Sequence, residues 1–305
     1  MAPRLPTPAL GTAHRPPPPV QHRGTERPVT VVPLIGPVAA PDLHVMSFNI
    51  RRAMEGALRR KRDRWSHREP AVAEMIRSER PTVLGLQEVL PRSLKAVTDA
   101  LGRDHRFIGR GRNRDGTGEG TPILYDASRL ELRGWDQHAL STRIDEPGSL
   151  SWGALFPRIL VSAEFRDRST GVGFLVVNTH LDHLSRRSRR RSAEIIAALV
   201  RARALPTVVM GDLNAGPGSQ ALRTLVSRAD LSDSWDAADD RLTPLWSTLS
   251  GYRRPKVGGR RIDWLLVSPD VRVRAAAVNA HVFGGIAPSD HRPVQALLRL
   301  TGRTP

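Results

Sequence analysis

Three short polar clusters carry most of the chemical information in this chain: Asn178-Thr179-His180, Gly211-Asp212-Leu213-Asn214 and Ser289-Asp290-His291. Each adjoins an apolar run. Leu175-Val176-Val177 leads to His180, Val208-Val209-Met210 leads to Asp212, and Pro293 to Leu300 follows His291. A buried strand that ends in Asp, Asn or His carries a group that is costly to desolvate to one defined place. These residue types bind divalent metal and move protons, so their repeated delivery points to metal-assisted hydrolysis of a phosphate ester.

Other polar residues stand at similar junctions. Asn49 lies near the end of the run His44–Ile50, where a strand-end turn is the competing reading. Gln87-Glu88 ends Val83-Leu84-Gly85-Leu86, and a glutamate leaving a sheet interior needs a cation. A hard divalent ion shared with the Asn49 carbonyl oxygen meets that need; a salt bridge to an arginine is the alternative. Asp212 and Asn214, two residues apart, project to one side, where a carboxylate and an amide can orient a water and bind a phosphoryl oxygen. An Asx turn before Gly216-Pro217-Gly218 competes. Asp263 and His291 each begin an apolar strand. Their expected pairing makes His291 an oriented acid or base with a raised pKa and leaves Asp290 free for a metal or a water, against a purely structural hydrogen bond.

The elements that must position these groups follow from hydrophobic patterning. Strands are expected at 44–50, 82–89, 122–126, 160–166, 173–181, 207–213, 262–268 and 293–300. Helices are expected at 69–79, with Pro70 in the first turn, at 192–203, and in a short piece at 96–101. With strands far outnumbering helices, the expected fold class is α/β (α+β): two packed sheets flanked by helices rather than a closed parallel barrel.

Composition narrows the partners. At 305 residues the chain can hold one large domain or two small ones, and the absence of cysteine excludes a disulfide scaffold, thiolate zinc and a thiol nucleophile. No apolar run is long enough to span a membrane. The formal charge of +17 favours an anionic partner, although Lys61, Lys95 and Lys256 are the only lysines and a GC-rich genome also produces such an arginine skew. Arginines crowd at 51–68, 186–191 and 253–261, beside Asn49, His180 and Asp263, without interleaved aromatics; contact with nucleic acid would then be to phosphates and weakly sequence-specific. Residues 1–42, which include Pro16-Pro17-Pro18-Pro19, are expected to be a disordered segment preceding a catalytic domain at 43–301. The mildly apolar stretch 29–40 is broken by Pro33 and Pro37, so export is the lesser reading and a cytoplasmic location the default. The glycines between Gly109 and Gly120 precede a strand rather than a helix, which excludes a dinucleotide loop and suggests a flexible loop over the site. His183 repeats a His-x-x-His spacing with His180 but lacks the soft ligands of a zinc site.

Ser47-Phe48-Asn49, Gln87-Glu88, Asn178-Thr179-His180, Gly211-Asp212-Leu213-Asn214, Ile262-Asp263-Trp264 and Ser289-Asp290-His291 occur in one order. Together they resemble the successive motifs of the endonuclease/exonuclease/phosphatase superfamily, over about residues 44 to 300. Asp63-Arg64-Trp65 and Gly118-Glu119-Gly120 look like a bacterial branch of it. The resemblance implies a four-layer sandwich with the active site at one end. It implies Mg²⁺, with Mn²⁺ as a substitute, on Asn49 and Glu88 with Asp290 nearby. Asp212 would orient the attacking water, Asn214 would bind a non-bridging oxygen, and His291 with Asp263 would handle the proton or stabilise the transition state. His180, backed by Glu119 as its orienting carboxylate, and Arg158 would contact the phosphate. Thr121-Pro122 departs from the Asn that relatives often carry there, which puts a local phosphate contact in doubt. The leading expectation is a monomeric nuclease of low sequence specificity that uses in-line water attack. A phosphatase or phospholipase-like enzyme on a small or lipid phosphoester is the alternative, and a non-catalytic nucleic-acid-binding relative comes third.

Overall fold

The computed structural model describes residues 32–301. In chain order the strands begin with β1 (Asp42–Asn49), β2 (Val83–Gln87), β3 (His105–Ile108), β4 (Ile123–Asp126), β5 (Leu130–Ala139), β6 (Ile159–Asp167) and β7 (Gly173–His180). They continue with β8 (Thr207–Asp212), β9 (Ser232–Asp233), β10 (Asp240–Arg241), β11 (Asp263–Val267), β12 (Val271–Val278) and β13 (Val294–Leu300). The helices are α1 (Trp65–Glu79), α2 (Pro91–Leu101), α3 (Arg186–Arg203), α4 (Gln220–Ala229) and the single turn α5 (Ser234–Ala237).

The strands form two mixed sheets, one of seven in the order β10-β12-β13-β1-β2-β4-β3 and one of six in the order β5-β6-β7-β8-β11-β9. Their facing sides share one apolar layer, with Val45, Val83 and Ile123 from the first sheet against Val176, Met210 and Leu265 from the second. The far side of the second sheet, through Leu175, Val177, Val209 and Leu266, packs on Ile196 and Val200 of α3 and Leu225 of α4. Covered on both faces, β1, β2, β7, β8 and β11 are buried nearly throughout. Such strands read as continuous apolar runs, which is why their sequences announce them.

Helix α1 begins a turn earlier than expected. Trp65 and Arg68 are completely buried and draw that turn inward, so Pro70 falls in the second turn. The donor that proline lacks would have bonded the Ser66 carbonyl, on a residue exposed to water.

Residues 1–31 of the segment expected to be disordered lie outside the described residues. Residues 32–41 run along the domain. There the backbone N–H groups of Leu34, Ile35 and Gly36 donate to the buried Glu79 carboxylate, which also accepts from the Asn279 amide.

Strand register gathers the polar ends at one edge of the sandwich. Asn49 pairs with Gln87 across the parallel strands β1 and β2. His180 pairs with Asp212 across the parallel strands β7 and β8, and Asp212 with Asp263 across the antiparallel strands β8 and β11. The pairing of Ser47 with Val294 brings the start of β13, and His291 just before it, beside the end of β1.

A buried amide fixes how the two sheets sit. The Asn178 Nδ2 group lies 2.9, 3.1 and 2.9 Å from the carbonyls of Leu86, Thr121 and Pro122 across the interface, and its Oδ1 accepts from Gln87 Nε2 at 2.7 Å. This approach needs Gly85, where a Cβ would come within 2.9 Å of Asn178 Cγ. Within the second sheet, Gly211, with φ +144°, lets β8 lie against β7, since a Cβ there would come to 1.9 Å from the Thr179 carbonyl oxygen. Replacing Asn178 with Ala should leave buried carbonyls unpaired and cost about 3 kcal/mol. Urea unfolding of the variant and the wild type measures this, and an unchanged midpoint would contradict the locking role.

Candidate active site

Three strands that enter the site, β1, β2 and β8, are followed by a sharply turned residue. Arg51, Glu88 and Asn214 have φ of 55°, 60° and 48°, in the left-handed region that non-glycine residues seldom occupy. That turn stops the sheet ladder and aims the adjoining side chains across the edge, where backbone strain tends to be retained for function.

The convergence expected from the sequence is present as an unbroken series of contacts. Asn49 Nδ2 donates to Glu88 Oε1 at 3.0 Å and to Asp212 Oδ2 at 3.1 Å, joining the first sheet to the second. The same Asp212 oxygen lies 3.5 Å from His180 Nε2 and 3.9 Å from His291 Nε2. His291 Nδ1 lies 3.0 and 2.9 Å from the two Asp263 oxygens, so the expected pair forms. Ser289 Oγ donates to the Asn49 carbonyl and accepts from the His291 N–H, tying the loop before β13 to the end of β1.

Environment sets these groups apart electrically. Burial alone would lower the His291 pKa, but Asp263 in contact, then Asp212 and Asp290, raise it to about 10, so the imidazole is a cation at neutral pH. Burial, reinforced by Arg158, pushes His180 well below the ordinary histidine value and leaves it neutral. Burial and the like charge of Asp263 raise Asp212 to about 7. Glu88 behaves oppositely. Burial opposes its ionisation, yet the charge of His180, the Arg52 N–H at 2.8 Å and the Asn49 amide hold it at about 2. With His180 neutral, the two hydrogen bonds are what persists near pH 7.

Several expected roles change in detail. Glu119 does not orient His180. Its carboxylate takes salt bridges from Arg112 at 2.7 Å and Arg52 at 3.3 Å, because two guanidiniums satisfy a carboxylate better than one neutral imidazole. Asp290 is not free, since Arg51 Nη1 donates to it at 2.6 Å. Asn49 turns its amide nitrogen, not its oxygen, toward the carboxylates, and the Arg51 N–H bonds the oxygen at 2.9 Å. Asn214 gives its N–H to Asp212 Oδ1 at 2.8 Å and its amide to the Leu181 carbonyl at 3.0 Å, supporting the Asp212 loop. Arg158 is nearly fully buried, with Nη2 2.8 Å from His183 Nδ1 and Nε 3.5 Å from Asp182, and it shares a small cavity with His180, Glu88 and Arg112. The glycine-rich segment is a hydrogen-bonded hairpin that presents Arg112 and Glu119 to this cavity. Arg51 and Arg52 entered the sequence reading only as members of the cluster at 51–68 beside Asn49, and nothing marks Arg112 among so many arginines.

A divalent cation fits this donor set. Glu88 is kept ionised inside the protein, and Asn49 and Asp290 carry hard oxygens that would join it as ligands on exchanging their present bonds to Arg51. Asp212, Asp263 and His291 form a second compact group with ligand atoms within 4.8 Å of one another. Within it both Asp263 oxygens face His291 Nδ1, at 3.0 and 2.9 Å.

Comparison with known proteins bears on the family and the fold. Residues 46–291 match the model of the endonuclease/exonuclease/phosphatase family. A crystal structure of a protein of that family from Bacteroides thetaiotaomicron is 30% identical, with a TM-score of 0.78, over 85% of this chain and 98% of that one. A mannosyl-6-phosphatase from the same bacterium is 32% identical, with a TM-score of 0.75, over 84% of this chain and 99% of that one. A zebrafish (D. rerio) TDP2 bound to a single-stranded DNA product shares the fold at 16% identity and a TM-score of 0.63, over 85% of this chain and 99% of that one. No curated protein sequence matches significantly.

The Asp263–His291 pair makes stability depend on pH in a definite direction. The folded pKa of His291, about 10, exceeds the unfolded value of 6.5, so its contribution is complete below pH 6.5 and disappears as pH rises toward 10. Asp263→Asn should therefore destabilise the metal-free protein by roughly 2–4 kcal/mol at pH 6 and by much less near pH 10.5. Urea unfolding at the two pH values tests this, and equal losses would refute the pairing as its cause.

Proposed function

The chain belongs to the endonuclease/exonuclease/phosphatase family, and from that premise we propose that it hydrolyses phosphate esters by direct attack of water, assisted by Mg²⁺ or, as a substitute, Mn²⁺. The observation that carries this reading is the continuous series Glu88–Asn49–Asp212–His291–Asp263, with His180 against Asp212.

The residues divide the work by charge. Asp212, with a pKa of about 7, can take a proton from an attacking water near neutrality and is held in place by Asn49 and the Asn214 N–H. His291, kept cationic by Asp263, opposes the negative charge that grows on the phosphoryl oxygens. Neutral His180 offers a hydrogen bond to the same group, and Arg158 adds a buried positive charge beside it. Glu88, with Asn49 and Asp290, would hold the cation, which when bound supplies further positive charge to the phosphate. Water is the nucleophile in this scheme because the chain has no thiol and every carboxylate of the site is already engaged.

For the substrate, the reading best supported is a small soluble phosphate ester. The mannosyl-6-phosphatase is 32% identical over nearly its whole length. Arg158 and Arg112 also line the cavity that His180 shares, each divided between that cavity and a carboxylate, Asp182 and Glu119 respectively. A nuclease of low sequence specificity is the second reading. It is favoured by Arg186, Arg189 and Arg223 around a cavity that Asn214 borders and that no acidic residue lines.

With Mg²⁺ the purified protein should release phosphate from sugar phosphates, and EDTA should abolish turnover. His291→Ala should lower kcat by about a thousandfold with the fold intact by circular dichroism. Phosphate release and plasmid nicking, assayed side by side, decide between the substrates. Full activity of the variant would sink the assigned role.

A further inference from the structure

A cavity of about 450 Å³ opens between α1, the turn at 250–255 and the loop before Ser289, with neither Asp212 nor His180 in its lining. His291 and Ser289 form part of its wall, so it adjoins the reacting centre. Its charged side chains are all basic: Arg62, Arg253, Arg254 and the engaged Arg292, with His67 and His281, and no Asp or Glu lines it. Arginines elsewhere near the site face carboxylates, as Arg51, Arg52, Arg112 and Arg158 do. Among the described residues Arg62, Arg253 and Arg254 have no carboxylate partner. Arg62 lies instead over the Tyr252 ring, 5.6 Å from its centroid.

Unpaired guanidiniums are common on open surfaces, but this group is placed. The Ser250 and Gly251 N–H groups both donate to the Asp290 carbonyl, and Ser250 Oγ donates there as well, so the arginine-bearing turn is fastened beside His291. Two wall residues, Tyr252 and His281, bury a polar atom that has no partner among the described residues. Burial keeps the Tyr252 phenol protonated, as a donor. Guanidiniums without anions, an unpartnered phenol and a volume in the range of small-molecule sites suit a phosphate.

We propose that this cavity receives a second phosphate carried on the leaving group, so that preferred substrates are phosphorylated twice. The inference rests on the hydrolase reading above and names its substrate class. In the reaction the water oxygen bonds the phosphorus held at His180, the P–O ester bond breaks, and the departing oxygen takes up a proton. The second phosphate changes no bonds. It anchors the leaving group, and its binding energy is available to orient the ester at the reacting phosphate.

Glucose 6-phosphate and glucose 1,6-bisphosphate, which differ by one phosphate, test this with the wild type and the exposed double variant Arg253→Gln/Arg254→Gln. The variant should lose about tenfold in kcat/KM for the bisphosphate while the monophosphate changes less than about twofold. Equal losses on both compounds, or none, would overturn the proposal. Stimulation of glucose 6-phosphate turnover by added inorganic phosphate would also overturn it, by showing a free effector site. Calorimetric binding of the bisphosphate in EDTA gives a reading independent of turnover, about tenfold weaker in the variant. If that difference appears without hydrolysis of either compound, the hydrolase reading fails and the cavity assignment stands; equal binding by the two proteins defeats the assignment itself.

Discussion

The site depends on the relative position of two sheets, and a single buried amide carries most of that constraint. Apolar contact alone is non-directional and would tolerate sliding. Asn178 does not tolerate it, because its amide serves carbonyls of Leu86, Thr121 and Pro122 across the interface while Gln87 binds its oxygen. Sliding one sheet over the other by one residue would displace it by about 3.3 Å and break these bonds. The bond from Asn49 to Asp212 would then be lost, and with it the contact through which one sheet's Glu88 meets the other sheet's histidines.

Once the sheets are locked, the edge concentrates charges that would not remain buried singly. Glu88, Asp212, Asp263 and Asp290 face His291, His180 and a rank of arginines within a few side chains of one another. The consequence is division. One histidine is held charged and the other neutral; one carboxylate is held ionised and another near neutrality. Pairs of like groups driven apart in this way supply acid and base functions at one pH. The same crowding explains why Asp290 is held by Arg51 and Glu119 by two arginines: each buried carboxylate takes a cation within reach.

Much of this was legible in the sequence where burial leaves a pattern. The doubly covered strands β1, β2, β7, β8 and β11 were foreseen within a residue or two, and so was the Asp263–His291 pair. Three longer elements were not. β5, with the sequence LELRGWDQHA, is half exposed and carries Gly134, and β12 begins as Val-Arg-Val-Arg before three alanines, so neither shows a sustained apolar run. α4 buries only small and medium side chains, Ala221, Thr224, Leu225 and Ala229, on one face. The pairing of Glu119 was also out of reach, because it is decided by Arg112 and Arg52 arriving from a hairpin and a strand exit. No spacing rule in one sequence records such long-range choices.

Arg68 shows what the arginine excess does inside the domain. Its side chain is wholly buried, and its two terminal nitrogens donate to the carbonyls of Ile50, Pro288, Arg51 and Arg52, joining the exit of β1 to the approach to Ser289. A lysine ammonium has three donors at a point and lacks the planar fork that reaches four acceptors. Dicarbonyl reagents that consume surface guanidiniums should therefore leave Arg68 unmodified while the domain is closed. The appearance of its adduct would time the opening of the molecule from within, at the seam that holds the catalytic loops together.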